Sequence, residues 1–227
     1  MQGKHILITG AYGVLGRAVA QRAIAAGARV ALIDFAVSAA DPLPAPVAIG
    51  GVDLTMYGAA EQAIQQVREK LGAIDALLNI AGGFAWRPLA DGDALPWDTM
   101  FALNLKTAVN ASKAALPHLI ESRGAIVNVG SAAAALTQAG PGMGAYAASK
   151  AGVHKLTESL AEELKGRVRV NAVLPSVIDT PQNRRDMPDV DPAIWVAPGD
   201  LAKVILFLAS DDARAMTGAL VPVTGRV

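Results

Sequence analysis

The chain alternates short apolar runs with longer stretches whose apolar positions recur at helical spacing. The runs lie at 4–9, 29–34, 47–52, 74–80, 125–129, 168–174 and 219–223, and polar residues are sparse within them. That pattern predicts strands covered on both faces, since a half-wet strand would alternate. The intervening stretches at 13–26, 56–71, 98–121, 145–165 and 200–211 are predicted helices. Strands alternating with helices imply right-handed βαβ crossovers, and so an α/β fold with a doubly wound parallel sheet of about seven strands and helices on both faces. Two connections break the rhythm. Between Asp34 and Val47 stand Pro42, Pro44 and Pro46, which cannot sit inside a helix, so the second crossover is predicted to lack one. The stretch 181–198 is rich in Pro, Asp and Arg without a clean period, which predicts a mobile loop or a short-helix insert.

Composition narrows what such a fold can do. Of 227 residues, 52% are hydrophobic and 18% charged, enough apolar surface for one large core, and no repeat or linker divides it. Twenty basic side chains balance twenty acidic ones, which argues against nucleic acid or an anionic membrane as a partner. The absence of cysteine excludes a disulfide framework, a thiolate nucleophile and Cys-ligated metal. His5, His118 and His154 are far apart in sequence, so no metal site is expected. No apolar run approaches the ~20 residues of a bilayer span. The N-terminus enters the first strand without a signal-peptide pattern, and the expectation is a cytoplasmic protein of a single domain, 1–227.

The first predicted strand runs directly into Gly10-Ala-Tyr12-Gly13-Val14-Leu15-Gly16 and then a helix. Glycines there allow positive φ, let the backbone approach a pyrophosphate and let helix pack on strand, with the helix N-terminus towards the phosphates. Asp34 ends the second strand, about twenty residues on, where a carboxylate accepts bonds from ribose hydroxyls and repels a 2′-phosphate. Phe35 and Ala36 offer no cation for that phosphate, so NAD(H) is favoured over NADP(H). A simple strand-end cap is the alternative for Asp34.

Tyr146 and Lys150 stand at i and i+4, one helical turn apart on one face. A phenol is a poor acid near neutrality unless a cation stabilises the phenolate, and Lys150 offers that charge. Ser131 follows the fifth strand at the ligand-binding edge of such a sheet, where it would polarise a carbonyl or merely cap a turn. Asn104 interrupts a helical stretch, as a functional amide or a solvated one. His154 lies one turn beyond Lys150, where it could approach the same face, but a surface or interface position is the expectation.

In this order the pieces resemble the short-chain dehydrogenase/reductase family over essentially the whole chain: the glycine turn, Asp34, Asp53-Leu54, Asn79-Ile-Ala81-Gly82, Asn104, Ser131, Tyr146-Ala-Ala-Ser-Lys150, and Pro175-Ser-Val177-Ile178-Asp-Thr180. The glycines are spaced GxxGxxG rather than the family's commoner GxxxGxG, and Ser176 replaces its usual glycine. The resemblance implies a Rossmann-type fold and a catalytic set of Asn104, Ser131, Tyr146 and Lys150, Asn104 holding a water that links Lys150 to solvent. It implies cofactor contacts from Gly10, Tyr12, Gly13, Val14, Leu15, Gly16 and Asp34, with Asp53 and Leu54 beside the adenine. Asn79, Ala81 and Gly82 would border the cleft, Tyr146 and Lys150 would meet the nicotinamide side, and Pro175, Val177, Ile178 and Thr180 the carboxamide or pyrophosphate.

The implied reaction is hydride transfer between a nicotinamide and a small carbonyl or hydroxyl substrate, with 181–198 as the substrate segment. A narrower likeness to quinonoid dihydropteridine reductase, carried by 140–143 and 179–188, supplies a second reading. A non-catalytic NAD(H)-sensing regulator is the third, though it would not need all four catalytic-type residues. Wide apolar faces on 98–121 and 145–165 lead to the expectation of a homodimer or homotetramer.

Overall fold

Residues 1–91, 94–135 and 139–226 are described by the structure, a computed structural model. Its strands are β1 (His5–Thr9), β2 (Arg29–Ile33), β3 (Val47–Ile49), β4 (Ala76–Asn79), β5 (Ala125–Val129), β6 (Arg169–Pro175) and β7 (Leu220–Val223). They form one parallel sheet in the order β3-β2-β1-β4-β5-β6-β7. The helices are α1 (Val14–Ala25), α2 (Tyr57–Leu71), α3 (Leu95–Met100), α4 (Thr107–Ser122), α5 (Gly144–Glu163), α6 (Pro181–Asp186) and α7 (Pro198–Ala209). This is the Rossmann-type α/β architecture anticipated from the apolar pattern.

Alternation along each strand divides the core in two. Leu7, Ile33, Leu77 and Ile126 pack with α2 and α4 residues such as Ile64, Val67, Ala111 and Leu119. Their neighbours Ile6, Ile8, Leu32, Leu78 and Val127 pack on the other face with Val19 and Ala23 of α1 and Leu201 and Ile205 of α7. Full burial of a side chain of this size stabilises by roughly 1.5–3 kcal/mol. A shift of one residue would exchange the two sets wholesale, so the register is strongly specified.

The prolines act as expected: no helix forms between β2 and β3. Leu43 and Ala45 instead lie against the α1/α7 core, and the Arg17 guanidinium grips the Asp41 carbonyl and carboxylate. The third strand is shorter than its apolar run, because Gly50 and Gly51 follow and Gly51 turns the chain at φ +73°.

The predicted helix at 98–121 begins earlier, at Leu95, and winds as a π-helix over Phe101–Lys106 before α4 continues. Such a segment fits one extra residue per turn and is frequent at functional sites. No sequence pattern announces it. At the amino edge, Arg169 donates to the carbonyls of Leu208, Ala209, Ser210 and Ala213, closing the end of α7. No helix among the described residues is long and apolar enough to cross a membrane.

Candidate active site

The strand order reverses between β1 and β4, and in an open α/β sheet a ligand crevice opens there, outside the carboxyl ends. The segments carrying the sequence-predicted residues leave those ends: Gly10–Gly16 after β1, Asp34 after β2, Asp53 after β3, Ala81 and Gly82 after β4, Ser131 after β5, and Val177–Thr180 after β6.

Gly10 adopts φ +61°, and a Cβ there would stand 2.7 Å from the Ala81 backbone. At Gly16 it would stand 2.1 Å from the Gly10 carbonyl oxygen. The turn is therefore closed to side chains, and Gly13 caps α1 without a side-chain acceptor for its first N–H groups. Asp34 is locked to this turn: its carboxylate accepts the Tyr12 N–H at 2.8 Å and the Ala36 N–H at 2.9 Å. Spare lone pairs remain for ribose hydroxyls. An uncapped helix N-terminus over a bare glycine turn, with a carboxylate beyond it, fits a dinucleotide.

The remaining cofactor positions divide. Asp53 accepts the N–H and hydroxyl of Thr55 at the approach to α2, and the Thr180 hydroxyl caps α6 by accepting the Asn183 N–H. Pro175 ends β6, and Ile178 bridges to Val196. Leu54 belongs to the core instead, and its carbonyl accepts from Asn110. The Asn79 side chain also turns inward, donating to Ser112 and Asn128, with its Oδ1 lacking a partner among the described residues. These two side chains are buried in the framework. Periodicity could not separate them from their neighbours because apolar and amide residues alike are buried there.

On α5, Tyr146, Ser149, Lys150 and His154 follow one another along one helix side. Lys150 is buried, donates to the Val129 carbonyl at 2.8 Å, and is pushed down to about 8 by loss of water. Tyr146 does not show the lowering expected from a lysine neighbour. Burial raises it above the ordinary phenol range, and a hydrogen bond with the Ser131 side chain offsets this in part. Its ring makes a T-shaped contact with Phe84 at a centroid distance of 4.9 Å.

Asn104 is buried rather than solvated: its Oδ1 accepts the Gly83 N–H at 2.9 Å and its Nδ2 donates to Ser149 at 3.0 Å. Gly82 must be glycine for this, as a Cβ would meet Asn104 Oδ1 at 2.6 Å. Ser149, which the sequence reading passed over, therefore joins the cleft floor to α5. His154 is neither a surface nor an interface residue of this chain. It is buried, and its Nε2 accepts the Ser131 N–H at 3.2 Å.

The 181–198 segment holds α6 and a short 3-10 turn at Pro192–Ile194. Trp195 is buried against the body, where Gly225 packs on its backbone. Arg184 is engaged in a two-pronged pair with Asp179 at 2.6 and 2.8 Å, which holds that carboxyl below its usual range. Trp195 is thus withdrawn from the surface, while Arg184 stays exposed within its pair. Met187 stays partly exposed. Across the cleft, the Trp86 indole donates to the Pro141 carbonyl at 2.7 Å and fastens the segment after β4 to the approach to α5.

Residues 4–191 match the family model for short chain dehydrogenases. The meso-2,3-butanediol dehydrogenase of Serratia marcescens is 37% identical, over 98% of this chain and 93% of that protein. Among solved structures, a 3-ketoacyl-(acyl-carrier-protein) reductase from Brucella melitensis complexed with NADH superposes with TM-score 0.87 at 27% identity, covering 99% of this chain and 98% of its own. Carveol dehydrogenase from Mycobacterium avium in complex with NAD gives 0.85 at 29%, covering 99% and 97%. The chain belongs to the short-chain dehydrogenase/reductase family and is an NAD(P)-dependent oxidoreductase.

Proposed function

We propose that the protein interconverts a small carbonyl compound and its alcohol, with Tyr146 as acid–base group, Ser131 and Lys150 beside it, and NAD(H) as cofactor. The bound nicotinamide supplies or accepts the hydride. In the reducing direction the Tyr146 hydroxyl gives its proton to the substrate oxygen. Ser131 donates a hydrogen bond to the same oxygen, and the Lys150 ammonium stabilises the phenolate left behind. Asn104, held by Gly83 and Ser149, positions the water through which Lys150 exchanges protons with solvent.

The observation that carries this reading is a buried Lys150 one helical turn from Tyr146, with the Ser131 turn tied to the same helix through His154, at the mouth of a crevice that fits a dinucleotide. The glycine turn, Asp34 and Asp53 bind the adenosine half, while Ala81, Gly82, Pro175, Val177, Ile178 and Thr180 hold the nicotinamide side. NAD(H) is preferred because Asp34 would face a 2′-phosphate while the nearby Arg17 is occupied by Asp41. The span 1–227 works as one domain, with Met187 on its substrate side. Exposed Phe101, Leu103 and Val109 supply a face for pairing with a second copy. The presence of both Ser131 and Asn104 favours this reaction over dihydropteridine reduction.

The test is NADH oxidation against simple ketones and diketones, ketosteroids, β-ketoacyl thioesters and quinonoid dihydropterin. Wild-type protein is expected to consume NADH with a carbonyl compound. Tyr146→Phe should still quench on NADH binding while turnover falls ~10²–10⁴-fold. No turnover of any carbonyl by the wild type, or full activity in Tyr146→Phe, refutes the assignment.

A further inference from the structure

His154 lies two turns of α5 below Tyr146 and one below Lys150, and the mechanism above does not use it. Three observations converge on it. It is 4% exposed. Its Nε2 accepts the backbone N–H of Ser131 at 3.2 Å. The preceding residue is a glycine pressed on the ring, where a Cβ would stand 2.4 Å from Nε2 and 2.6 Å from Cδ2. The turn out of β5 is thus seated on the imidazole by a missing side chain on one residue and a donated proton from the next.

We propose that His154 is the positioning residue for Ser131: neutral, with its proton on Nδ1, it anchors the Ser131 backbone so that the hydroxyl stays in bonding reach of Tyr146. This rests on the carbonyl–alcohol reading for its catalytic consequence, though not for its geometry. A ring nitrogen that accepts an N–H carries no proton of its own, which fixes the tautomer. The neutral form is favoured by burial and by the charge of Lys150; Lys155 acts in the same sense and Glu158 against it. The Ser131 hydroxyl has one further tie, accepting the Ala133 N–H at 3.3 Å. That bond fixes the hydroxyl relative to its own turn; Lys150 ties Val129 and the Val173 carbonyl ties Gly130, so the tie of Ser131 itself to α5 is left to His154.

The experiment compares His154→Leu, which keeps bulk and cannot accept, with His154→Gln, whose amide oxygen can. Two readouts need no substrate. Nitrogen-15 NMR of wild-type imidazole is expected to show the Nδ1–H tautomer for His154. Hydrogen exchange of the Ser131 amide is expected to stay slow in wild type and His154→Gln and to quicken in His154→Leu. The third readout uses NADH with butane-2,3-dione as the carbonyl probe. A misplaced catalytic group lowers kcat by roughly ten- to a hundredfold in His154→Leu, with NADH binding unchanged, while His154→Gln restores most of it.

An Nε2–H tautomer in the wild type overturns the proposal. So does a Ser131 amide that exchanges equally in all three proteins, or a His154→Gln enzyme as slow as His154→Leu. Should His154→Leu fail to fold, the tautomer and the His154→Gln kinetics still decide. If the wild-type protein turned over no carbonyl at all, the redox assignment would fall, and the two substrate-free readouts would still judge His154.

Discussion

The two ends of the same sheet are built on opposite terms. At the amino end, backbone and side chains satisfy one another. Asp75 accepts from the His5 N–H at 2.7 Å and its ring at 2.9 Å, while the Asp75 N–H returns a bond to the His5 carbonyl. Ser122 closes on Ile74 nearby, and Arg169 serves the end of α7. At the carboxyl end the chain leaves capacity open: a helix start without a side-chain cap, a carboxylate with spare lone pairs, and a buried ammonium with a single carbonyl acceptor. The difference teaches that this open bonding capacity lies at the carboxyl end, where a ligand can complete it.

The strongest way to break that contrast is Gly16→Ala. Its Cβ would overlap the Gly10 carbonyl, and overpacking of this kind costs ~1–3 kcal/mol. Because the strained atoms are the cofactor turn itself, the expected result is NADH affinity reduced about tenfold or more by fluorescence titration, with the fold retained by circular dichroism. A smaller effect sharpens the cofactor half of the comparison. Asp34→Ser removes the charge beside the adenosine ribose, and the ratio of NADPH to NADH kcat/KM should rise about tenfold. A ratio unchanged from wild type would remove Asp34 from cofactor choice.

The smallest expected effect probes the closed end. Asp75→Ala strands the His5 N–H and ring, which costs ~1–2 kcal/mol and lowers Tm by ~2–8 °C. Turnover per folded molecule should stay at the wild-type level. A loss of kcat in that variant would show the two ends to be coupled.

Much of this was legible in the chain. The apolar runs placed all seven strands because the five inner ones are covered on both faces and the partly exposed edge strands β3 and β7 keep the same apolar character, and three prolines excluded a helix from the second crossover. The spacing of Tyr146 and Lys150 put both on one side of α5 because the helical period is fixed. What stayed hidden depended on the third dimension. That His154 is covered by the Ser131 turn follows from how β5 ends over α5, which no local spacing encodes. The acceptor of Lys150 is a backbone carbonyl, which any residue at 129 supplies. In the 181–198 segment, sequence shows neither Gly225 packed on the Trp195 backbone nor the pairing of Arg184 with Asp179. The π winding at Phe101–Lys106 likewise contains no breaker residue, and it carries the Asn104 that ties across to Gly83 and Ser149.

Arg169 shows how one planar cation can substitute for a whole terminal motif. Helices often finish on a glycine that curls their last carbonyls home; α7 finishes on Ser210 in an extended conformation, and the carbonyls of Leu208, Ala209 and Ser210, with that of Ala213 from the next turn, converge on a single guanidinium borrowed from β6. A lysine there would bring its donors to a point rather than a fan. The corner where the final helix meets the sheet would then be the first part of the molecule to fray.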